Sequence, residues 1–192
     1  MAVSAARRMV AGSPGPFDVA ATAGLIPAIS TDGSTYPIEK LDAHRRAVKH
    51  LAISVFVFSD DELLLQRRAD GKYHCGGLWA NTCCTHPHWN ESVAASAVRR
   101  LREEMGLTLD LQPTAIIEYE ARVSNDLWEN ERVHLFQARV DRRTTRPALN
   151  PEEVSHARWT SLASIRKDIA ADPDAYAPWF KIYMSRWSEL GF

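Results

Sequence analysis

Three short stretches of the chain hold most of the side chains able to do chemistry. In NTCCTHPHW, residues 81–89, two adjacent cysteines precede His86. In ENE, residues 129–131, two carboxylates flank an asparagine. On a strand Glu129 and Glu131 point the same way, with Asn130 opposite. A solvated pair beside a turn is the plainer reading of such acids. Two carboxylates aimed at one point, however, repel unless a cation or a shared proton intervenes. His44, His50 and His86 are candidate co-ligands for that cation. At about 100° per residue His44 and His50 fall on different sides of a continuous helix, so sharing an ion requires the chain between them to bend or leave helix.

The cysteines admit several chemistries. Successive strand side chains face opposite ways, so Cys83 and Cys84 cannot converge on one metal from a regular strand. A vicinal disulfide is strained, and a reducing compartment disfavours it. A zinc site from Cys75, Cys83, Cys84 and His86 lacks the C-x2-C spacing of such sites. One thiol is therefore expected in the core, and the other at the strand's end facing a cleft.

The third stretch is SVAASAVRRLREEM, residues 92–105. Val93, Ala97, Val98, Leu101 and Met105 form an apolar helical stripe, Ser92 can cap the start and Gly106 can end it. Arg99, Arg100, Glu103 and Glu104 lie off the stripe, as i,i+4 pairs on a solvated face would. With Glu91 they also make the wider pattern E-x7-R-R-L-R-E-E-M-G-L (91–107), which resembles a Nudix box. In that motif a loop–helix–loop presents carboxylates to divalent metals bound to a diphosphate. Against G-x5-E-x7-R-E-U-x-E-E-x-G-U (U aliphatic), Thr85 replaces the first glycine and Arg100 replaces a glutamate. A cation there works against a hydrolytic metal cluster, while its fork suits phosphate oxygens. Lys40, Arg68 and Lys72 complete the local basic set that a small diphosphate requires.

These residues need a scaffold of strands and helices. LAISVFVFS (51–59) and ELLLQRRA (62–69) read as a hairpin, GKYHCGG (71–77) as a loop and LWANTCC (78–84) as a short strand. Strands follow at 115–123, 131–140 and 156–160, then helices near 161–171 and 175–187. Tyr119 shares a strand face with Ile117 and Ala121, so its hydroxyl needs a buried partner, and Trp179 reads as a packing aromatic. Residues 1–35, rich in Ala, Gly, Ser and Pro, read as an N-terminal arm, flexible or loosely docked, with structure beginning near Tyr36. Its early arginines faintly suggest a transit peptide, but it lacks the apolar core of a secretory signal. Residues 36–192 read as a single α/β domain.

The whole chain has 192 residues, 45% hydrophobic and 24% charged, with net charge −1. Such balance leaves no footprint for nucleic acid or an anionic membrane. No apolar run approaches the roughly 20 residues that span a bilayer. Three cysteines make no disulfide scaffold, which points to a reducing cytoplasm.

Taken together, LWANTCCTHPHWNES, the arginine-substituted box, Tyr119 ahead of ENE and the late Pro178-Trp179 resemble the type I isopentenyl diphosphate isomerases over roughly residues 36–187. The resemblance implies a Nudix-type α/β/α sandwich with a mixed sheet. It implies interconversion of isopentenyl and dimethylallyl diphosphate by protonation and deprotonation through a tertiary carbocation-like intermediate. It assigns catalysis to Cys84, rather than Cys83, and to Glu131, Tyr119 and Trp179. His44, His50, His86, Glu129 and Glu131 would hold Mn2+, Mg2+ or Zn2+. Glu104, with the Cys84 carbonyl, would hold a Mg2+ on the substrate diphosphate. Lys40, Arg68, Lys72, Thr85 and Arg100 fall on or near phosphate-contacting positions. His44 and His50 stand six apart, where some members space the pair by seven. The partner expected is a small isoprenoid diphosphate bound by a monomer. The alternatives are a Nudix-type diphosphate hydrolase and a non-catalytic diphosphate-binding protein; binding alone needs none of Cys84, Glu131, Tyr119 and Trp179.

Overall fold

The apolar run at 51–59 has no polar face to offer water, and it takes the centre of the sheet. In the computed structural model, which describes residues 24–192, it becomes β3 (His50–Ser59), buried throughout except at Leu51. Before it come β1 (Leu25–Ile29), β2 (Thr35–Glu39) and α1 (Lys40–Arg45). After it come β4 (Glu62–Arg68), β5 (Trp79–Ala80), β6 (Cys83–Thr85) and α2 (Val93–Met105). Then follow β7 (Gln112–Arg122), β8 (Trp128–Arg139), β9 (Val154–Ser161), α3 (Leu162–Ala171) and α4 (Pro178–Ser185). β8 runs parallel to β3, from His50 opposite Glu131 to Phe58 opposite Arg139. β6 and β4 pair with β3 antiparallel, β7 forms a hairpin with β8, and β9 pairs with β4. The sheet is mixed, as expected.

Helices cover both faces. On one, Ala52, Phe56, Val133 and Leu135 pack against Ile165 of α3 and Phe180 and Tyr183 of α4. On the other, Ile53, Val55, Val57 and Phe136 meet Ala97, Leu101 and Met105 of α2. The result is an α/β/α sandwich in one domain. α2 is bounded as its sequence requires: the Ser92 hydroxyl accepts from the Ala95 N–H, and Gly106 ends the helix at φ 65°. A Cβ at Gly106 would lie 2.7 Å from Ala148, so the close approach itself demands glycine.

Four expectations need correction. Structure does not wait until Tyr36, because β1 begins at Leu25, buries Ile26 and Ala28 and pairs with β2. LIPAI is buried from Ile26 to Ile29 and carries a central proline, so it has no alternating pattern to mark it as a strand. LWANTCC is not one strand, since a bend at Asn81–Thr82 separates β5 from β6. There Asn81 bonds the Val55 and Cys83 carbonyls and Thr82 bonds the Leu64 carbonyl, local side-chain bonding that competes with the ladder. Val98 is 39% exposed, and Ser96 and Glu104 share the buried face of α2 instead. The last helix is shorter than 175–187: a 3-10 turn precedes Pro178, whose fixed φ starts α4. The expectation for the arm at residues 1–23 lies outside the described residues.

Candidate active site

Strand register assembles the site. Glu131 of β8 lies opposite His50 in the parallel pair and opposite Tyr119 in the β7 hairpin, so three strands place three polar side chains in one row. On the same β3, Ser54 lies opposite Cys84. His44 arrives by a different route. α1 ends at Arg45, Ala47 takes φ 51°, and the chain reverses into β3. The helix therefore stops between His44 and His50, and their ring centroids lie 5.0 Å apart. The Asn130 amide donates to the Ala47 carbonyl at 3.1 Å, so the middle residue of ENE pins this turn.

His44, His50, His86 and Glu131 each offer a ligand atom within 4.8 Å of the others, all buried. The donor set fits a divalent cation. Nδ1 of His44 donates to the Lys40 carbonyl at 2.7 Å, and Nδ1 of His50 to that of Val48 at 2.7 Å. This outer bond fixes the tautomer and leaves Nε2 as the free lone pair, the usual arrangement behind metal-ligating imidazoles. Both Nε2 atoms are buried without a hydrogen-bond partner. Burial pushes His44 down to about 4 and lowers His86 further, keeping both neutral and able to ligate.

The two carboxylates divide one environment unequally. Burial first, then its neighbour Glu131, pushes Glu129 well above the ordinary carboxylate range. Burial would raise Glu131 as well, but the imidazoles of His50 and His86 beside it hold it well below that range. His86 Nε2 lies 2.8 Å from the Glu131 carboxylate. The Tyr119 hydroxyl, which needed a partner, reaches Glu131 at 2.6 Å and Glu129 at 3.1 Å.

Beside this centre is a pocket of about 360 Å³, lined by Cys84, Tyr119, Glu129, Glu131, Trp179 and Tyr183 among others. The cysteines part as strand alternation requires. Cys83 is buried in the α2-side core, and Cys84 faces the pocket. Burial raises the Cys84 pKa, so it stands as a thiol. Among the described residues no cysteine belongs to a group of candidate metal ligands, and all three are free. Trp179, 2% exposed, forms a wall with Arg68 over its ring at 5.3 Å. A bulge between β4 and β9 at Arg67/Arg68 gives Arg68 its place in the pocket wall, and the Ser155 hydroxyl bonds the Arg67 and Arg68 carbonyls.

A second, wider hollow of about 540 Å³ adjoins the first and shares Lys40, Thr85 and His86 with it. Lys72, Arg99 and Arg100 make it cationic. Burial, and then the neighbouring Lys72, Arg100 and Arg68, pushes Lys40 down to about 8. Glu153 accepts from Lys72 at 2.6 Å and from Arg100 at 2.9 Å. Arg99 grips Glu91 with two bonds of 2.7 Å. Glu104 lines neither hollow. It is buried under Arg100, which donates to it at 2.5 Å, and it also accepts from Gln66 at 3.1 Å.

Sequence reasoning brought most of this set together but passed over three residues. Tyr183, whose hydroxyl meets Ser54 at 2.9 Å, follows Trp179 by one helical turn, so helical spacing was a usable signal. Glu153 and His74 sit in loops, where no periodicity marks them.

Comparison with known proteins bears on the family and the fold. The NUDIX domain family matches residues 48–180. A protein of Dinoroseobacter shibae named isopentenyl-diphosphate Delta-isomerase is 49% identical over 84% of this chain and 92% of its own length. A protein of the same name from Jannaschia sp. is 44% identical over the same shares. A solved structure from Deinococcus radiodurans superposes with TM-score 0.69 over 84% of this chain and 98% of its own, at 15% identity, a likeness of fold alone.

Proposed function

The chain belongs to the isopentenyl-diphosphate Delta-isomerase family of NUDIX-domain proteins, and from that premise we propose how its two hollows divide one reaction. The enzyme interconverts isopentenyl and dimethylallyl diphosphate by moving one C=C bond. A proton is added to the terminal alkene carbon, and another is removed from the carbon next to the ester-bearing one. Between these events the charge rests on a tertiary carbon. No net proton is consumed, so the chain must supply one acid and one base.

Cys84 and the Glu131–Tyr119 pair are that couple. Cys84 holds a proton at Sγ because burial opposes the thiolate. Tyr119 holds one between its hydroxyl and Glu131. Reversing the reaction exchanges their roles. Trp179 presents an indole to the developing cation, an attraction of about 2 kcal/mol when desolvated. Tyr183, Trp179 and Ala52 exclude the water that would quench the cation to an alcohol. The convergence of Cys84, Glu131, Tyr119 and Trp179 on one pocket is the observation that carries this reading.

The cationic hollow takes the diphosphate. Lys40, Lys72, Thr85 and Arg100 line it, and Arg68 stands where it opens inward. Arg100 would turn from Glu104 and Glu153 to the phosphate oxygens, freeing Glu104 to hold a diphosphate-bound Mg2+ with the Cys84 carbonyl. At the inner centre His44, His50, His86, Glu129 and Glu131 would hold a divalent ion (Mn2+, Mg2+ or Zn2+). Once bound, it would neutralise the paired carboxylates and set the acidity of the Glu131–Tyr119 proton. We place the enzyme in the cytoplasm as a monomer, in keeping with its free cysteines and balanced charge. Among the described residues no helix is long and apolar enough to cross a membrane.

Incubation with isopentenyl diphosphate and a divalent metal in heavy water tests the reading. Deuterated dimethylallyl diphosphate is expected. Isopentenyl monophosphate and free phosphate, with no dimethylallyl diphosphate, would instead make this a hydrolase, the reading that Arg100 on Glu104 opposes.

A further inference from the structure

The buried centre has one imidazole more than the proposed metal set uses. His74 offers a nitrogen within 4.8 Å of ligand atoms from both His44 and Glu129. It is 8% exposed, and its Nδ1 is fully buried without a hydrogen-bond partner. Its ring lies 5.9 Å from that of His44 and meets Trp179 edge-on at 5.9 Å, so it separates the centre from the indole wall.

The turn that carries His74 is built tightly. Cys75 takes φ 52° and Gly77 φ 76°. A Cβ at Gly76 would fall 2.5 Å from the Asp70 carbonyl oxygen, so the chain can fold back this closely only with glycine there. The Arg68 guanidinium donates to the His74 carbonyl at 3.4 Å. The imidazole is held inward by backbone that has little room to move.

His44 belongs both to the group with His50, His86 and Glu131 and to the group with His74 and Glu129. Only its Nε2 is free, because Nδ1 is bonded to Lys40. One nitrogen lone pair serves one ion, and Glu129, already in the proposed metal set, is grouped with His44 and His74 and not with the other three, so a side-chain shift that brings Glu129 onto the ion brings His74 beside it. We propose that His74 supplies a sixth ligand to the ion held by His44, His50, His86, Glu129 and Glu131. The resulting shell of four imidazoles and two carboxylates selects a first-row transition ion over magnesium. Magnesium prefers oxygen ligands and retained water, whereas imidazole-rich sites suit the transition series. A filled shell leaves no position for water or substrate, which makes the ion an organiser of Glu129 and Glu131 and not a site of attack. This inference rests on the metal-site reading above.

The test uses the full chain stripped with a chelator and reloaded with Mn2+. Ion stoichiometry, Mn2+ affinity and water-proton relaxation are measured for wild type, His74→Ala and the better-filling His74→Gln. Wild type is expected to bind one ion with no inner-sphere water. Either variant should bind it roughly 10–100-fold more weakly, a typical loss when the support of a metal site is removed. The smaller His74→Ala should also relax water faster, because water takes the vacated position. Unchanged affinity and relaxation in both folded variants would overturn the sixth ligand alone. A water already on the ion in wild type would overturn it equally. A wild type that binds no ion would sink the metal-site reading along with it.

Discussion

The inner pocket and the outer hollow share three wall residues, Lys40, Thr85 and His86, yet they handle charge in opposite ways. Inside, burial keeps Cys84 a thiol, keeps His44 and His86 neutral and pushes Glu129 above the ordinary carboxylate range. Outside, Lys72, Arg99 and Arg100 are each matched by a carboxylate, of Glu153 or Glu91. Desolvation turns ionisable groups into proton stores, while partial solvation leaves them as anchors. An allylic diphosphate divides the same way, with reactive carbons at one end and fixed negative charge at the other. Binding energy gathered in the outer hollow can then hold a reluctant cation in the inner one.

The largest effect should come from Cys84→Ala, which removes a proton store and no anchor. Turnover is expected to fall by about 10²–10⁴-fold, the usual worth of a positioned acid or base. Affinity for isopentenyl diphosphate by calorimetry should change little. A matching loss of affinity would mean that the two hollows do not separate binding from chemistry. Arg100→Gln is the converse experiment. Losing a charge-assisted contact of about 1.5–3 kcal/mol should raise KM roughly tenfold to a hundredfold. Steady-state kinetics should show kcat much less affected, as for a contact made equally in ground and transition states. A collapse of kcat alone would move Arg100 from anchor to catalyst.

The inner pocket was the more legible of the two hollows in the sequence. Strand alternation alone put Glu129 and Glu131 on one face, parted Cys83 from Cys84 and gave Tyr119 a buried hydroxyl. Helical geometry required a bend between His44 and His50 only if the two were to share an ion. Which strands lie side by side did not follow, since the parallel pairing of β3 with β8 joins residues some 80 apart. Glu153 and His74 were illegible for a related reason. Both sit in irregular segments, where position is set by tertiary contacts and not by any period. β1 was missed because a short strand with a central proline has a weak local signal. The resemblance supplied what geometry could not: which thiol, and which carboxylate, to propose as carrying the chemistry.

Lys40 stands on the boundary of the two hollows, and a pH titration should show it behaving as both. Its pKa of about 8 is lowered by burial and then by neighbouring cations. An arriving diphosphate favours the charged form, so the bound pKa lies above the free one. Affinity for isopentenyl diphosphate is therefore full below pH 8 and falls as pH rises through it, by at most about tenfold per unit. The ligand's own ionisation does not interfere, because a phosphate's last proton leaves near pH 6. Calorimetry on the metal-free protein should show this decline. Lys40→Met should bind more weakly at pH 7 and lose the slope; a slope that survives the substitution belongs to another group.

Cys83→Ala should have the smallest effect, and it probes the partition from the far side of the sheet. Its thiol lies among Ile53, Val55, Ala97 and Leu101 and beside Glu104, with the strand between it and the reacting carbons. Removing one buried sulfur costs about 1 kcal/mol of stability, typical of a single core truncation. For a domain of this size that is roughly 2–4 °C in Tm, readable by thermal denaturation. Turnover should remain close to wild type, because Cys84 keeps its register opposite Ser54 through the backbone ladder. A modest rise in KM would trace to Glu104 shifting beneath Arg100. If Cys83→Ala instead loses as much turnover as Cys84→Ala, one strand does not separate packing from chemistry, and the contrast between the two cysteines fails.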